Sequence, residues 1–151
     1  MGFSMDLLEL TKTSTKEKQK TSLEQMADEM ALRTEIAKVI AAEAAGEGYE
    51  GMVGVANTIG NRSKSKKKLL MDVISAPNQY YGYTAPNKEK LYLQVKDQAD
   101  EIADKLIKGQ LKDNTDGAEY FLLPKEKVRA WHGDKTKTIG SHTFYREMIR
   151  K

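Results

Sequence analysis

Apolar residues recur at helical spacing through the first two thirds of the chain. After a capping-box-like start at Ser22 and Gln25, the apolar positions include Ile36, Val39 and Ile40 and continue to residue 43. Glycines at positions 46 and 48 end this pattern. Helices are therefore predicted over four segments: 22–45 with a break near 33–34, about 50–61, 69–74, and about 88–108.

The pattern becomes short and irregular outside these helices. Residues 77–86 contain three tyrosines, two prolines and a glycine, so they are predicted to form an aromatic-rich loop. Residues 143–145 favour a strand, with 118–122 as its partner. The expected fold class is α+β, mainly helical, with a small C-terminal β-hairpin or irregular region. Residues 1–21 are expected to form a polar N-terminal arm, and residues 22–151 a single domain.

The composition narrows the functions that the chain can have. Its 151 residues are 39% hydrophobic and 31% charged, which is typical of a globular protein. No apolar run approaches the length of about 18 residues that a bilayer requires, and no secretion signal is seen, so we expect synthesis in the cytoplasm without membrane insertion. Because there is no cysteine, thiol catalysis and cysteine-ligated zinc are excluded. The net charge of +3 would assist approach to an anionic polymer.

Two further groups of residues carry weaker signals. His132 and His142 are ten positions apart without clustered acids, which makes a poor metal site, and no metal or other cofactor is expected. The lysine-rich run 64–68 has no interleaved aromatic residue, so it is interpreted as a solvated loop, and no nucleic-acid partner is expected. Nucleophile-elbow, Walker and dinucleotide fingerprints are absent from the sequence.

Glu43 occupies an unusual position in the first helical pattern. It follows Ile36 by seven residues, Val39 by four and Ile40 by three, which places its carboxylate on the apolar face. Burial penalises the charged form, so such a carboxyl group has a raised pKa and remains protonated near neutral pH. Cleavage of a glycosidic bond requires a general acid of this kind. The alternative is an ion pair between Glu43 and a lysine or arginine.

Several segments of the sequence together resemble one enzyme family. Residues 39–62 read VIAAEAAGEGYEGMVGVANTIGNR, a helix that ends in a glutamate, a glycine-rich turn and a second helix that closes on Asn-Arg. This string is similar to the opening signature of the SleB/CwlJ-type spore-cortex-lytic cell wall hydrolases. Later segments match the same family over about residues 34–147: DVI and PNQY at 72–80, DGAEYF at 116–121, Trp131, and TIGSHTFYR at 138–146.

The resemblance implies a lysozyme-like fold and cleavage of the bond between N-acetylmuramic acid and N-acetylglucosamine. It also implies that Glu43 is the catalytic acid, because the first glutamate of the family signature falls there. A lytic transglycosylase can work with this single acid, since the same carboxylate can later accept the proton of the attacking sugar hydroxyl. Hydrolysis normally needs a second carboxylate, for which Glu47 is the candidate, so a hydrolytic muramidase is an alternative.

Substrate-binding residues are expected among the polar and aromatic side chains of the irregular segments, since loops on a rigid scaffold concentrate binding residues and aromatic faces suit sugar rings. The candidates are Gln79, Tyr80, Tyr120, Trp131, His142 and Tyr145. The expected partner is the glycan strand of peptidoglycan, bound by a monomer. A catalytic domain without an export signal would suit a phage lysin, either released through a membrane lesion or carried in the virion. A non-catalytic wall-binding or virion structural module is the remaining alternative.

Overall fold

The computed structural model describes residues 21–129 and 131–147. Contacts within the chain divide it into two compact units, Met1–Leu32 and Arg33–Lys151. The expected N-terminal arm lies almost wholly outside the described residues, and its boundary at residues 21 and 22 stays a prediction. Within the described part of the chain, no helix has both the length and the apolar character that crossing a membrane requires.

The first unit contributes the start of one long helix, and the second unit contains every other described element. The helices are α1 (Ser22–Ala44), α2 (Gly48–Lys66), α3 (Leu70–Ser75), α4 (Lys88–Gln94) and α5 (Lys96–Ile107), with short 3-10 turns at Ala45–Glu47 and Tyr81–Tyr83. The break expected near residue 33 is absent from α1. Helix α2 extends to Lys66, so three of the five residues in the expected lysine-rich loop, 64–66, are helical. Positive charge is favourable there, because the last turn of a helix carries the negative end of its dipole.

The single helix predicted over 88–108 is divided at Val95, whose backbone leaves the helical region (φ −129°, ψ 23°). Tyr92 of α4 and Ile102 of α5 are both buried. Ten residues at 100° each would place these two side chains about 80° apart on an unbroken helix. An apolar helical face spans about 100° or more, so one core-facing stripe could hold both side chains and their burial does not require the break. Val95 is β-branched and has a low helix propensity, so the departure from helical geometry costs little there.

The C-terminal sheet has three antiparallel strands rather than the two that were expected. The strands are β1 (Tyr120–Leu122), β2 (His132–Ile139) and β3 (His142–Glu147), in the order β1-β3-β2. The predicted partnership of β1 and β3 is confirmed, with Phe121 opposite Phe144. Strand β2 lies at an edge, is rich in lysine and threonine, and pairs with irregular register. Edge strands commonly carry lysines and bulges, so the absence of apolar alternation in β2 is consistent with its edge position.

Helix α2 is the central element of the second unit, because it packs against α3, α5, β1 and β2. Its buried face includes Met52, Val55 and Ile59. A Cβ atom at Gly54 would lie 2.6 Å from Cζ of Phe144, so the absence of a side chain at this position lets β3 approach the helix closely. The sheet and α2 together form the rigid support on which the loops of the candidate site rest.

Candidate active site

Glu43 lies in the last turn of α1 and is half-buried. Its Oε1 atom accepts a hydrogen bond of 2.6 Å from the backbone N–H of Gly82. Gly82 belongs to the 3-10 turn of the aromatic loop and is itself buried. A Cβ atom at Gly82 would lie 2.9 Å from Cβ of Ala42 and 3.0 Å from the carbonyl oxygen of Val39. The aromatic loop therefore rests directly on the turn of α1 that carries Glu43.

Burial raises the pKa of Glu43 above its usual value. The hydrogen bond from Gly82 acts in the opposite direction, and the negative charge of Glu126 raises the pKa further. Among residues 21–129 and 131–147, no lysine or arginine forms an ion pair with Glu43. The environment thus favours protonation of Glu43 more than an exposed position would, and the alternative of a structural ion pair has no support in the geometry.

Glu43 lines a cleft of about 1270 Å³. The walls come from the end of α1, the aromatic loop, β1 with the loop that follows it, and the start of β2. Four of the six side chains expected to bind substrate line the same cleft: Gln79, Tyr80, Tyr120 and Trp131. Tyr120 and Trp131 form an edge-to-face pair with ring centroids 4.7 Å apart, and Trp131 remains 44% exposed. This pair presents an aromatic surface of the kind that suits a sugar ring.

The other two expected side chains do not line the cleft. His142 is instead fully buried and packs against Phe121, with ring centroids 4.9 Å apart. Burial lowers the pKa of His142, and neither ring nitrogen has a hydrogen-bond partner within the described residues. Tyr145 lies on β3 with its ring 5.2 Å from that of His132, and it does not line the cleft. A direct substrate contact by His142 or Tyr145 is therefore not supported, and packing explains both positions.

Glu47 also lies outside the cleft lining. Its Oε2 atom accepts a 3.0 Å hydrogen bond from the backbone N–H of Ser141, and Oε1 is hydrogen-bonded to the hydroxyl of the same serine. The hydroxyl and the backbone N–H hold the pKa of Glu47 below its usual value. The side chain thus connects the turn between α1 and α2 to the turn between β2 and β3. This arrangement favours a structural role for Glu47.

Glu126 and His132 line the cleft without having been singled out for it by the sequence. Glu126 follows the Pro124 turn, where its Oε1 atom accepts a 2.9 Å hydrogen bond from the N–H of Leu123. The Nδ1 atom of His132 accepts a 2.7 Å hydrogen bond from the N–H of Arg129, and burial lowers the pKa of the imidazole. Glu126 did not stand out because loop residues show no periodicity, and His132 did not because it begins an edge strand without apolar alternation.

Arg62 is the other cleft residue that sequence reasoning did not single out, although it closes the quoted string. Its guanidinium lies 5.5 Å from the ring centroid of Tyr80 and 4.8 Å from that of Tyr120, and its Nη2 atom donates to Oε1 of Gln79. Three of the expected substrate-binding side chains thus meet at one cation. No group of three or more histidine, aspartate or glutamate side chains suited to a metal ion occurs in the described ranges.

Comparisons with known proteins assign the chain to a family. The family described as Cell Wall Hydrolase matches residues 46–145, a span that begins three positions after Glu43. The catalytic domain of the germination-specific lytic transglycosylase SleB from Bacillus anthracis has 28% sequence identity and a TM-score of 0.60, with coverage of 76% of this chain and 93% of that one. The catalytic domain of the Bacillus cereus SleB protein has 28% identity and a TM-score of 0.59, with coverage of 74% and 86%.

No curated protein matches the chain. The family match covers most of the sequence, and the solved structures share its mainly helical α+β fold with a small C-terminal sheet. The chain therefore belongs to the Cell Wall Hydrolase family, with an enzyme domain like the catalytic domain of the lytic transglycosylase SleB.

Proposed function

We propose that the protein is a lytic transglycosylase that cleaves the bond between N-acetylmuramic acid and N-acetylglucosamine, with Glu43 as its catalytic residue. The observation that carries this proposal is the environment of the Glu43 carboxyl group. It lines the cleft, burial raises its pKa, and it lacks a cationic partner within the described residues. A general acid that acts near neutral pH needs these properties.

The reaction follows from the chemistry of one carboxyl group. Glu43 donates its proton to the glycosidic oxygen while the bond from that oxygen to C1 of N-acetylmuramic acid breaks. The 6-hydroxyl of the same sugar then attacks C1 and returns its proton to the Glu43 carboxylate, which leaves a 1,6-anhydro end. Between these steps the carboxylate is negatively charged, and the N–H of Gly82 can stabilise it.

Hydrolysis with a second carboxylate is the competing reaction. The candidate for this second carboxylate in the cleft is Glu126 rather than Glu47. Glu126 lines the cleft, whereas the carboxylate of Glu47 is occupied by Ser141. An inverting or retaining hydrolase would use such a residue to activate water or to attack C1. The two reactions differ in their products, because hydrolysis leaves a reducing end instead of the anhydro sugar.

Mass spectrometry of fragments released from purified peptidoglycan tests the proposal. Glu43→Gln keeps an oxygen that can accept the Gly82 hydrogen bond but cannot donate a proton as an acid. We expect about a 100-fold or larger loss of cleavage with an unchanged melting temperature. The matched substitution Glu47→Gln, four residues away, should retain the cleavage chemistry. Anhydro ends are expected from the wild type.

Each alternative has its own outcome in this experiment. Full activity of Glu43→Gln would exclude Glu43 as the acid. Reducing ends that disappear in Glu126→Gln would establish hydrolysis in place of transglycosylation. Binding to peptidoglycan without release of any fragment, unchanged by Glu43→Gln, would identify a non-catalytic wall-binding module. Whether the protein acts as a phage lysin or within a virion stays a prediction.

A further inference from the structure

Arg62 is a buried cation in the wall of the cleft. It lies near the end of α2, is only 6% exposed, and still contributes to the cleft surface. Its guanidinium is placed between the rings of Tyr80 and Tyr120, at 5.5 and 4.8 Å from their centroids. One of its nitrogens, Nη2, donates to the amide oxygen of Gln79.

The charge of Arg62 is incompletely compensated. Within residues 21–129 and 131–147, no carboxylate forms an ion pair with it, and its buried Nε–H has no hydrogen-bond acceptor. The faces of the two tyrosine rings offset part of the cost of burying a cation. A guanidinium has five N–H donors and always carries its charge, so an anionic acceptor would compensate the charge of Arg62 that the rings leave unbalanced.

Gln79 occupies the place where such an acceptor would bind. Its amide oxygen takes a hydrogen bond from the guanidinium, but it is neutral, and the side chain is exposed on the aromatic loop. A carboxylate differs from this amide in carrying a full negative charge, and its two oxygens can accept two parallel hydrogen bonds from a guanidinium. Exposure leaves Gln79 free to yield this position to a ligand.

We propose that Arg62 is the anion-recognition residue of the cleft and binds a carboxylate carried by the muramic acid units of the substrate. This inference rests on the proposed function, because it concerns the same cleft and the same glycan. Two carboxylates share this chemistry: that of the lactyl group, which is free when the sugar carries no peptide, and those of the stem peptide attached to it.

The competing role for Arg62 is purely structural. The same contacts would let it order Gln79, Tyr80 and Tyr120 without touching the substrate. The two roles differ in one measurable respect. A residue that binds the substrate carboxylate makes cleavage depend on the charge of the substrate, whereas a residue that only orders the cleft affects charged and neutral substrates equally.

Cleavage rates on paired substrates test this difference. Glycan strands are prepared with their native carboxylates and, in parallel, with these groups converted to primary amides. We expect kcat/KM of the wild-type protein to fall about 10-fold on the amidated strands, because a primary amide offers the guanidinium only a neutral, single-oxygen acceptor in place of a bidentate carboxylate. For Arg62→Met, the rate on native strands should fall by a similar factor, and amidation should then have no further effect.

The variants are chosen so that a folding defect cannot imitate the result. Replacement of a buried charge by an apolar side chain of similar size is often neutral for stability, and the ratio of the two rates is independent of the folded fraction. Lys64→Met is the matched control, because it removes the same charge from the same helix at an exposed position outside this cleft, and it should keep the 10-fold ratio. Arg62→Lys keeps the positive charge but loses the planar arrangement of N–H donors, so an intermediate ratio of the native and amidated rates is expected.

An equal loss of kcat/KM on native and amidated strands in Arg62→Met would overturn the proposal. A wild-type kcat/KM that is the same on native and amidated strands would overturn it as well. Strands stripped of stem peptides by an amidase distinguish the two sources, since charge dependence that persists on them identifies the lactyl carboxylate and its loss identifies the stem. Failure of the proposed function is separate, because it would leave the wild-type protein without cleavage of any strand.

Discussion

The contact between Gly82 and α1 gives the most direct test of how the structure holds Glu43. A methyl group at Gly82 would approach Cβ of Ala42 at 2.9 Å, the carbonyl oxygen of Val39 at 3.0 Å and Cγ of Glu43 at 3.1 Å. Its backbone is not in the left-handed region, so alanine is conformationally allowed and only space is limiting. Gly82→Ala must therefore push the aromatic loop away from the helix and lengthen the hydrogen bond to Glu43.

The size of the effect follows from these contacts. Overpacking of a tight interface costs about 1–3 kcal/mol of unfolding free energy. Misplacement of a catalytic group by about 1 Å can cost roughly 100-fold in rate, so the loss of kcat/KM should exceed what the stability change predicts. The hydrogen bond from Gly82 favours the ionised carboxylate, so weakening it raises the pKa of Glu43 further. The alkaline limb of the pH profile should then move to higher pH.

Two glycines provide matched controls for this experiment. A Cβ atom at Gly46 meets no other atom within 4 Å, so Gly46→Ala should preserve both stability and activity. Gly54→Ala creates a comparable clash, 2.6 Å from the ring of Phe144, but at the contact between α2 and β3. It should lower the melting temperature without moving the pH profile.

The measurements are thermal melts and profiles of kcat/KM against pH. They are made on the wild type and on all three alanine variants. Wild-type activity with an unshifted profile in Gly82→Ala would show that this contact does not position Glu43. An equal loss of activity in Gly54→Ala, at equal stability, would show that the loss reflects general loosening of the fold.

Three further predictions concern single side chains. Glu126→Gln removes a charge that raises the pKa of Glu43, so the alkaline limb of kcat/KM should move to lower pH; an unmoved limb would exclude this coupling. Ser141→Ala removes the hydroxyl that lowers the pKa of Glu47. The ionised Glu47 stabilises the folded protein above its usual pKa of 4.5, and this stabilisation is lost as pH falls through the lower pKa of the folded state. Urea unfolding should therefore show a deficit at neutral pH that closes in acid, and a deficit that persists in acid would point to lost packing instead. Tyr80→Phe removes a buried hydroxyl hydrogen bond and should cost about 0.5–1.5 kcal/mol in the same assay, and a neutral result would show that the bond contributes nothing.

Helices could be predicted from the sequence wherever one face is continuously apolar. The periodicity of α1 and of α2 fixed their approximate positions, whereas their ends depended on local geometry such as the left-handed Lys67 that closes α2. The break at Val95 could not be predicted, because the helical spacing of apolar residues continues through it from Leu91 to Leu106. Strand β2 was missed because an edge strand needs no apolar alternation to pair with β3.

The candidate site divides in the same way. Glu43 was predictable because a carboxylate on an apolar helical face violates a strong rule, and the violation could be read from spacing. Arg62 and Glu126 could not be found in this way, because their roles depend on which side chains the fold brings near them in the cleft. His142 was expected to bind substrate because it lies in a matching string, and the sequence did not reveal that its ring is fully buried against Phe121.

The opposing influences on Glu43 are consistent with a residue that must act first as an acid and then as a base. Burial and the charge of Glu126 raise the pKa of the carboxyl group and so favour its protonated form before cleavage. The N–H of Gly82 has the opposite preference, because its hydrogen bond strengthens when the carboxyl group becomes charged. Stabilisation that grows as the proton leaves is directed at the transition state rather than at the resting enzyme. If Glu43 acts as proposed, Gly82 therefore contributes to the rate through its backbone N–H alone, and Gly82→Ala lowers the rate because its methyl group displaces that N–H.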